Sequence, residues 1–160
     1  MDTIIMDIPS IPGECKVKGY EKKIELLSYS HGVAMQITGD QSNAARTSGK
    51  PNHQDFTVTK FLDIASVPSY DACNKATKLG AITITVGRND NGTVLPFIVY
   101  ELGDTLLSSV SIGGGGGGKP QETLTLNYTT IKWTYSSQKP EMGKEGEAKA
   151  NWSLEANASQ

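Results

Sequence analysis

The 160-residue sequence predicts a mainly β fold: a small β-barrel of two packed antiparallel sheets, flanked by one α-helix. Hydrophobic and polar residues alternate along most of the chain with the period of two that is typical of half-buried strands. Only one segment repeats its apolar residues at helical spacing. The Asn91-Gly92 pair favours the positive φ angles of a tight hairpin. At this length we expect a single domain, 1–160, around one hydrophobic core.

Strands are predicted in chain order at Thr3–Ile8, Ile24–His31 with a continuation towards Ile37, Phe56–Phe61, Ile82–Val86, Thr93–Glu101, and Trp152–Leu154. The strongest alternation covers Glu122–Ser136, but its apolar phase changes at Thr129-Thr130. A one-residue slip moves side chains to the opposite face of a strand, so we predict a bulge or sharp bend there. Such a bend lets one strand serve two sheets.

One helix is predicted between Ser66 and Leu79. Ser66 is a suitable N-cap, Pro68 fits the first turn, and Gly80 fits the position that follows the last turn. The apolar stripe of this helix consists of Tyr70, Cys73, Ala76 and Leu79.

Three segments lack the periodicity of a strand or helix. Residues 38–52 form a loop that is long for a compact domain, and such loops are usually functional. Residues 139–149 are charged and contain glycine, which predicts an exposed loop near the C-terminus. Six consecutive glycines, Gly113 to Gly118, precede Lys119 and predict a flexible connection.

The glycine run matches the spacing of a phosphate-binding loop, in which a Ser or Thr follows the lysine and a helix follows the loop. Here Pro120 follows the lysine, and Gln121–Tyr128 alternates like a strand. His31 and His53 are the only histidines, and metal sites usually need three or four ligands. We therefore expect hydrogen-bonded structural positions for both. The sequence predicts no catalytic residue, metal or cofactor, although carboxylates that converge only on folding stay open.

The composition excludes some partners. The net charge is −2, with no cluster of basic residues for nucleic acid or an anionic membrane. The N-terminus lacks the basic and apolar regions of a secretory signal, and no segment reaches the ~20 apolar residues that cross a bilayer. We expect a protein made in the cytoplasm, with Cys15 and Cys73 as free thiols, that is exported, if at all, without a signal peptide.

Several stretches resemble, in order, the haemolysin-coregulated protein (Hcp) family of type VI secretion. They are Ile11–Cys15, Ile24–Gly32, Gly49–Lys60, Leu62-Asp63, the Ala72-Cys73 helix, Leu107–Ser111 and Leu126–Trp133. Each is weakly specific alone, but their order is specific. Two residues depart from the family pattern: Cys15 stands where Ser is usual, and His31 stands where an aromatic residue is common.

The resemblance implies a structural subunit and not an enzyme. Homohexameric rings would stack into a hollow tube with a spike trimer, a contractile sheath and a baseplate as partners and small effectors in the lumen. Such a protein is secreted from the cytoplasm and acts in virulence or interbacterial competition. The resemblance also implies that the 38–52 loop contacts the next ring, with Asp40, Arg46, Ser48, Gly49 and Lys50 as candidates, and that Ser28 and Ser30 are candidates to face the lumen.

Two other classes of protein stay open at this point. One is a secreted β-barrel that binds a carbohydrate or an oligonucleotide, as a binding module or an effector, and that would be monomeric or dimeric. Aromatic side chains can stack on bases or sugars, but the alternation of those in this chain favours core packing. The other is a hydrolase whose catalytic residues are scattered over several strands.

Overall fold

The computed structural model describes residues 2–37, 49–138 and 144–160. The described residues form strands and one α-helix, which confirms the mainly β prediction. The elements are β1 (Asp2–Asp7), β2 (Ile24–Leu26), β3 (Ser28–Ser30), β4 (Val33–Ala34), β5 (Asn52–His53), β6 (Phe56–Phe61), α1 (Ser66–Asn74), β7 (Gly80–Asp90), β8 (Thr93–Gly113), β9 (Gln121–Asn127), β10 (Thr130–Gln138) and β11 (Lys144–Ser153).

Most of the strands belong to one antiparallel network in the order β2-β1-β7-β8-β9-β6-β3, with β10 paired to β8 and β11 to β10. β4 and β5 pair separately. The two ends of the network, β2 and β3, are consecutive in the chain on either side of Leu27. The N–H of Leu27 donates to the carbonyl oxygen of Thr59 at 2.7 Å. The strands thus form two packed sheets, as predicted, but the sheets are not closed into a barrel.

Two long segments, β8 and the β9–β10 segment, pass from one sheet to the other at neighbouring positions. β8 pairs with β7 and β10 in its first half and with β9 from Leu106 onwards. Just before this change, Asp104 adopts a φ of 49°. On the partner segment, the N–H of Thr129 donates to the carbonyl oxygen of Gly103 at 3.1 Å. The bend predicted at Thr129-Thr130 is confirmed, because β9 and β10 on its two sides pair with different halves of β8 and, on their other edges, with β6 and β11.

The helix is shorter than predicted, because α1 ends at Asn74 and not near Leu79. Ala76 adopts a φ of 49°, and the N–H of Thr77 donates to the carbonyl oxygen of Ala72 at 3.0 Å. The N–H of Ala76 also donates to the carbonyl oxygen of Cys73 at 3.3 Å, and the two bonds close the helix as a Schellman motif. The reversal therefore occurs at an alanine, and the glycine predicted for this position begins β7 instead.

Part of the predicted 38–52 loop is strand. Asn52 and His53 form β5, which pairs with β4 through the register Val33↔His53. Residues 38–48 lie outside the described residues.

The prediction of an exposed loop at 139–149 is wrong for its second half. This half lies in β11 and pairs with β10, for example through Glu147↔Ser136 and Lys149↔Thr134. Residues 146–149 are exposed, and β11 is an edge strand, where charged side chains are common. Residues 139–143 lie outside the described part of the chain.

One hydrophobic core lies between the sheets. Its fully buried side chains come from β1, β2, β6, β7, β8, β9 and β10, and α1 contributes Ala72 from the flank. The largest of them are Met6, Ile24, Phe56, Ile82, Ile84, Leu102, Leu124, Leu126 and Ile131.

A buried charge cluster lies where β6 leads into α1. The Nζ of Lys60 is 2.7 Å from Asp63 Oδ1 and 3.4 Å from Glu122 Oε2. It also donates to Ser66 Oγ at 3.0 Å. Lys60 occupies the same face of β6 as the core residues Phe56 and Val58, so the cation needs these partners. The cluster joins β6, β9 and the start of α1.

Replacement of Lys60 by Met is expected to lower the free energy of unfolding by about 3–5 kcal/mol, because two buried or half-buried carboxylates lose their cation. Urea unfolding at fixed subunit concentration, followed by tryptophan fluorescence, measures this loss. Lys75→Met is the matched control: it removes the exposed partner of Asp71 on α1 and should leave the unfolding midpoint almost unchanged. Equal effects of the two substitutions would contradict the role of Lys60.

Candidate assembly and lumen surfaces

Hydroxyl groups cover one face of the sheet formed by β3, β6, β9 and the second half of β8. Alternation along these strands sends one set of side chains into the core and the other set to this face. Two rows of cross-strand neighbours result, Ser30–Thr57–Thr125–Ser109 and Ser28–Thr59–Thr123–Ser111. Both rows consist entirely of uncharged Ser and Thr.

The hydroxyls of this face bond to one another across the strands. Ser28 Oγ bonds Thr59 Oγ1, and Ser109 Oγ bonds Thr125 Oγ1 at 2.6 Å. At the bulge in β8, Ser108 Oγ lies 2.6 Å from Thr125 Oγ1 and donates to Asp55 Oδ2 at 2.7 Å. Because each hydroxyl is both a donor and an acceptor, the two rows are hydrophilic without a net charge, and the Asp55 carboxylate lies at their edge.

Ser28 and Ser30, the predicted lumen residues, are exposed and belong to this face, while Tyr29 between them packs against the core. The other hydroxyls were not among the predicted residues. Their signal in the sequence is a hydroxyl-x-hydroxyl pattern that recurs on four segments. Only the pairing of the strands in the folded structure shows that the four segments lie side by side.

An arm leaves the body at one end of this sheet, and its described residues are 33–37 and 49–53. Its two sides are paired at β4 and β5, and the N–H of Gly49 donates to the carbonyl oxygen of Gln36 at 3.4 Å. Three apolar side chains are exposed along the first side: Val33 (52%), Met35 (42%) and Ile37 (59%). Of the predicted ring-contact residues, Gly49 and Lys50 are exposed on the arm, and Asp40, Arg46 and Ser48 lie outside the described residues.

A groove with a volume of about 490 Å³ lies at the other end of the sheet. β6 begins close to the arm at Phe56 and ends at Phe61, whose side chain lines the groove. Leu27 and Leu62 add exposed apolar surface. Several carboxylates and one cation also line it: Asp2, Glu14, Glu25, Asp63 and Lys119.

The predicted flexible connection joins β8 to β9. Gly113 is the last residue of β8, and Lys119 lines the groove. A strand and not a helix follows, as predicted, so the glycine run lacks the helix N-terminus of a phosphate-binding loop. The flexibility of Gly113 to Gly118 stays a prediction.

Two histidines pack together at the root of the arm. The ring centroids of His31 and His53 are 5.9 Å apart, and His53 lies 6.3 Å from the Trp133 ring. The Tyr128 hydroxyl bonds His31 Nε2 and donates to the carbonyl oxygen of Gln54 at 3.0 Å. The hydrogen-bonded structural position predicted for His31 is confirmed. Its stacking on His53 was not predicted, because the two residues belong to different strands.

Burial determines the electrostatics of this cluster. It lowers the pKa of His31, with a further lowering by the neighbouring His53, and it also lowers the pKa of His53. Burial raises the pKa of Tyr100 to about 12. It raises the pKa of Tyr128 as well, and the nearby Asp55 carboxylate adds to this effect. The uncharged forms of these rings are therefore favoured at neutral pH.

Other kinds of site were searched within the described ranges. No group of three or more His, Cys, Asp or Glu residues there is placed to hold a metal ion. No helix in the same ranges has the length and apolar character needed to cross a membrane. Cys15 and Cys73 are free thiols.

The described features, a hydroxyl-rich sheet face, an exposed arm and a groove on two packed sheets, are typical of a protein that works by binding other molecules at its surface. The family model described as "Type VI secretion system effector, Hcp" matches residues 5–135. The chain therefore belongs to the Hcp family. It is a type VI secretion tube protein of a secreted family, a structural protein and not an enzyme.

Individual relatives agree with this assignment. Protein hcp1 of Pseudomonas aeruginosa is 28% identical over 156 residues, which cover 96% of each chain. A solved structure of a type six secretion system protein superposes with a TM-score of 0.94 at 24% identity, over 100% of both chains. Hcp1 of Salmonella typhimurium gives a TM-score of 0.82 at 20% identity, over 99% of both chains. These two structures establish the likeness of fold.

Replacement of Tyr128 by Phe is expected to lower the free energy of unfolding by about 1–3 kcal/mol. The substitution keeps the ring but leaves His31 and the carbonyl of Gln54 without their hydroxyl partner. Urea unfolding measures the change. Tyr135→Phe, at a half-exposed position of β10, is the control, and a loss of the same size there would argue against a specific role for the Tyr128 hydroxyl.

Proposed function

We propose that this subunit forms homohexameric rings that stack into a hollow tube, which is exported and carries small effectors in its lumen. A spike trimer, a contractile sheath and a baseplate are the proposed partners. The observation that carries the proposal is that the arm and the groove lie at opposite ends of β6. Membership of the Hcp family supports the same function.

Different surfaces at the two ends suit head-to-tail stacking. When one surface meets a different surface on the next copy, the contact is heterologous and can repeat without closing. β6 spans about 20 Å at roughly 3.3 Å per residue, so one subunit carries both surfaces along a single strand. A stack of rings that use these surfaces would grow in one direction.

The two ends also match in chemistry. The arm exposes Val33, Met35 and Ile37 and carries the cations Arg46 and Lys50. The groove offers the apolar surface of Leu27, Phe61 and Leu62, with exposed carboxylates at Asp2, Glu14 and Glu25. Apolar contact would provide affinity, and the charges would orient the arm and make stacking sensitive to salt.

The hydroxyl face is the proposed wall of the lumen. Its two rows include Ser28 and Ser30 and carry no ionised side chain. A neutral hydrophilic wall binds water well and exerts little long-range attraction on charged cargo. Effectors would therefore be held by short-range hydrogen bonds and released when the tube comes apart.

In-ring contacts require surfaces on the sides of the subunit. At the start of α1, Ile64 and Val67 are 63% and 77% exposed, and such apolar patches commonly mark protein–protein interfaces. Among the described strands, β11 pairs only with β10, which leaves its other edge available to a neighbouring subunit. A stable ring interface needs about 1,000 Å² or more of buried surface.

The mass of the purified protein tests ring formation. Size exclusion with light scattering is expected to give about six times the 17.1 kDa of one chain, and negative-stain images should show a central hole. A monomer at high concentration would contradict the ring and favour the ligand-binding β-barrel.

Deletion of Ala44–Lys50 and a charge exchange test the stacking contact. The deletion should abolish tubes but preserve the mass of the ring. Arg46→Glu and Glu25→Lys should each weaken stacking, and the double variant should restore it, because the exchange recreates an opposite-charge pair. Tube length in negative-stain images is the measurement.

Lys78→Glu, an exposed charge change outside the groove lining, is the matched control. Normal tubes after the deletion would exclude the arm as the stacking element. A double variant no better than the single variants would exclude the Arg46–Glu25 pairing.

A further inference from the structure

We propose that His31 and His53 form an acid-sensitive latch, which holds the root of the arm, the paired strands β4 and β5, on the body of the subunit at neutral pH and releases it on acidification. The latch is a property of the isolated subunit. Only its consequence for tubes rests on the proposed role of the arm in stacking.

The latch lies where the chain enters and leaves the arm. The N–H of Gln54, on the returning side, donates to the carbonyl oxygen of Gly32 on the outgoing side at 2.9 Å. Tyr128, between β9 and β10, bonds His31 on one side and Gln54 on the other. One hydroxyl therefore ties both sides of the arm to the body.

The hydrogen bonds determine where a proton on His31 must go. Because the Tyr128 O–H donates to Gln54, the Tyr128 oxygen accepts from His31, which places the hydrogen of neutral His31 on Nε2. Acid therefore adds the second proton to Nδ1. The Tyr128 bond survives this step, and the cost arises from the charge that the ring acquires.

His53 adds a second cost of protonation. Its Nδ1 is buried and has no hydrogen-bond partner among the described residues. A protonated imidazole carries N–H on both nitrogens, so protonation would create a buried, charged donor without an acceptor. Release of β5 from the body exposes this nitrogen to water and removes the cost.

Among the described residues, no carboxylate forms an ion pair with either histidine. His31 packs against the rings of Phe56, Tyr100 and Tyr128, and His53 packs against Tyr128 and Trp133. Tyr29 completes the aromatic layer from β3. The neighbouring carboxylate is Asp55, which accepts from Ser108 and Asn127 at 2.7 and 3.0 Å. Two imidazolium rings at 5.9 Å would also repel each other.

The sign of the pH effect follows from linkage. Burial lowers the pKa of both histidines in the closed arm, whereas an open arm restores the ordinary value of about 6.5. Above about pH 6.5 both states are neutral and the arm stays closed. Below it the open state binds more protons, so the open-to-closed ratio rises up to about tenfold per pH unit for each histidine.

Trp133 fluorescence and hydrogen exchange at the Gln54 amide test the latch. With Trp152 replaced by Phe, Trp133 is the only tryptophan and lies beside His53. Between about pH 7.5 and 5, Trp133 emission and the opening of the Gln54 N–H should change together and reversibly, with exchange corrected for its intrinsic pH dependence. The unchanged chain, measured by exchange alone, controls for the Trp152 substitution.

Because His31 and His53 are the only histidines, their double replacement by Phe should abolish the transition. Each single replacement should leave a shallower, one-proton transition. A transition that survives in the double variant would overturn the latch, and so would an unchanged Gln54 opening down to pH 5 in the unchanged chain. Tubes imaged at pH 5 separate the two proposals: an open arm with intact tubes would leave the latch standing and refute stacking through the arm.

Discussion

The fold depends on the close approach of β8 and the β9–β10 segment at Gly103. A Cβ atom at this position would clash with Thr130 Oγ1, so any larger residue would force the Thr130 side chain to move. The N–H of Thr129 donates to the carbonyl oxygen of Gly103, and the carbonyl oxygen of Thr129 accepts from the N–H of Leu154 at 2.8 Å. Both long segments change sheet here, and the C-terminal end of the chain is fixed at the same place.

The sheet change separates two kinds of surface. Beyond it, β3, β6, β9 and the second half of β8 have core residues on one face and hydroxyls on the other. The buried cluster around Lys60 then holds the far end of β6, where the groove lies, and the histidine pair lies near its beginning. A single short strand therefore connects a pH-sensitive arm root to an apolar and acidic groove. The proposed stacking of rings would use this fixed distance between the two surfaces.

The sequence predicted much of the architecture but less of the surfaces. Period-two alternation and the phase change at Thr129-Thr130 depend only on neighbouring residues, so both were predicted correctly. The end of α1 was misplaced because a Schellman motif ends the helix at Ala76, and alanine gives no signal for the positive φ that this motif requires. The first part of β11 was missed, although its end at Trp152 was predicted, because an edge strand needs no apolar side chains on its exposed positions, and charged residues such as Glu147 and Lys149 resemble those of a loop.

By itself the sequence determined the mainly β class, the order of most strands and, through its motifs, the Hcp family. It also indicated that Ser28 and Ser30 share one face of their strand, because their alternation with Tyr29 is a local property. Only the tertiary structure decided that eight hydroxyls share one face, that Lys60 is paired with Glu122, and that His31 meets His53. The physical reason is that strand register and sheet packing join residues far apart in the chain, and neither leaves a local pattern.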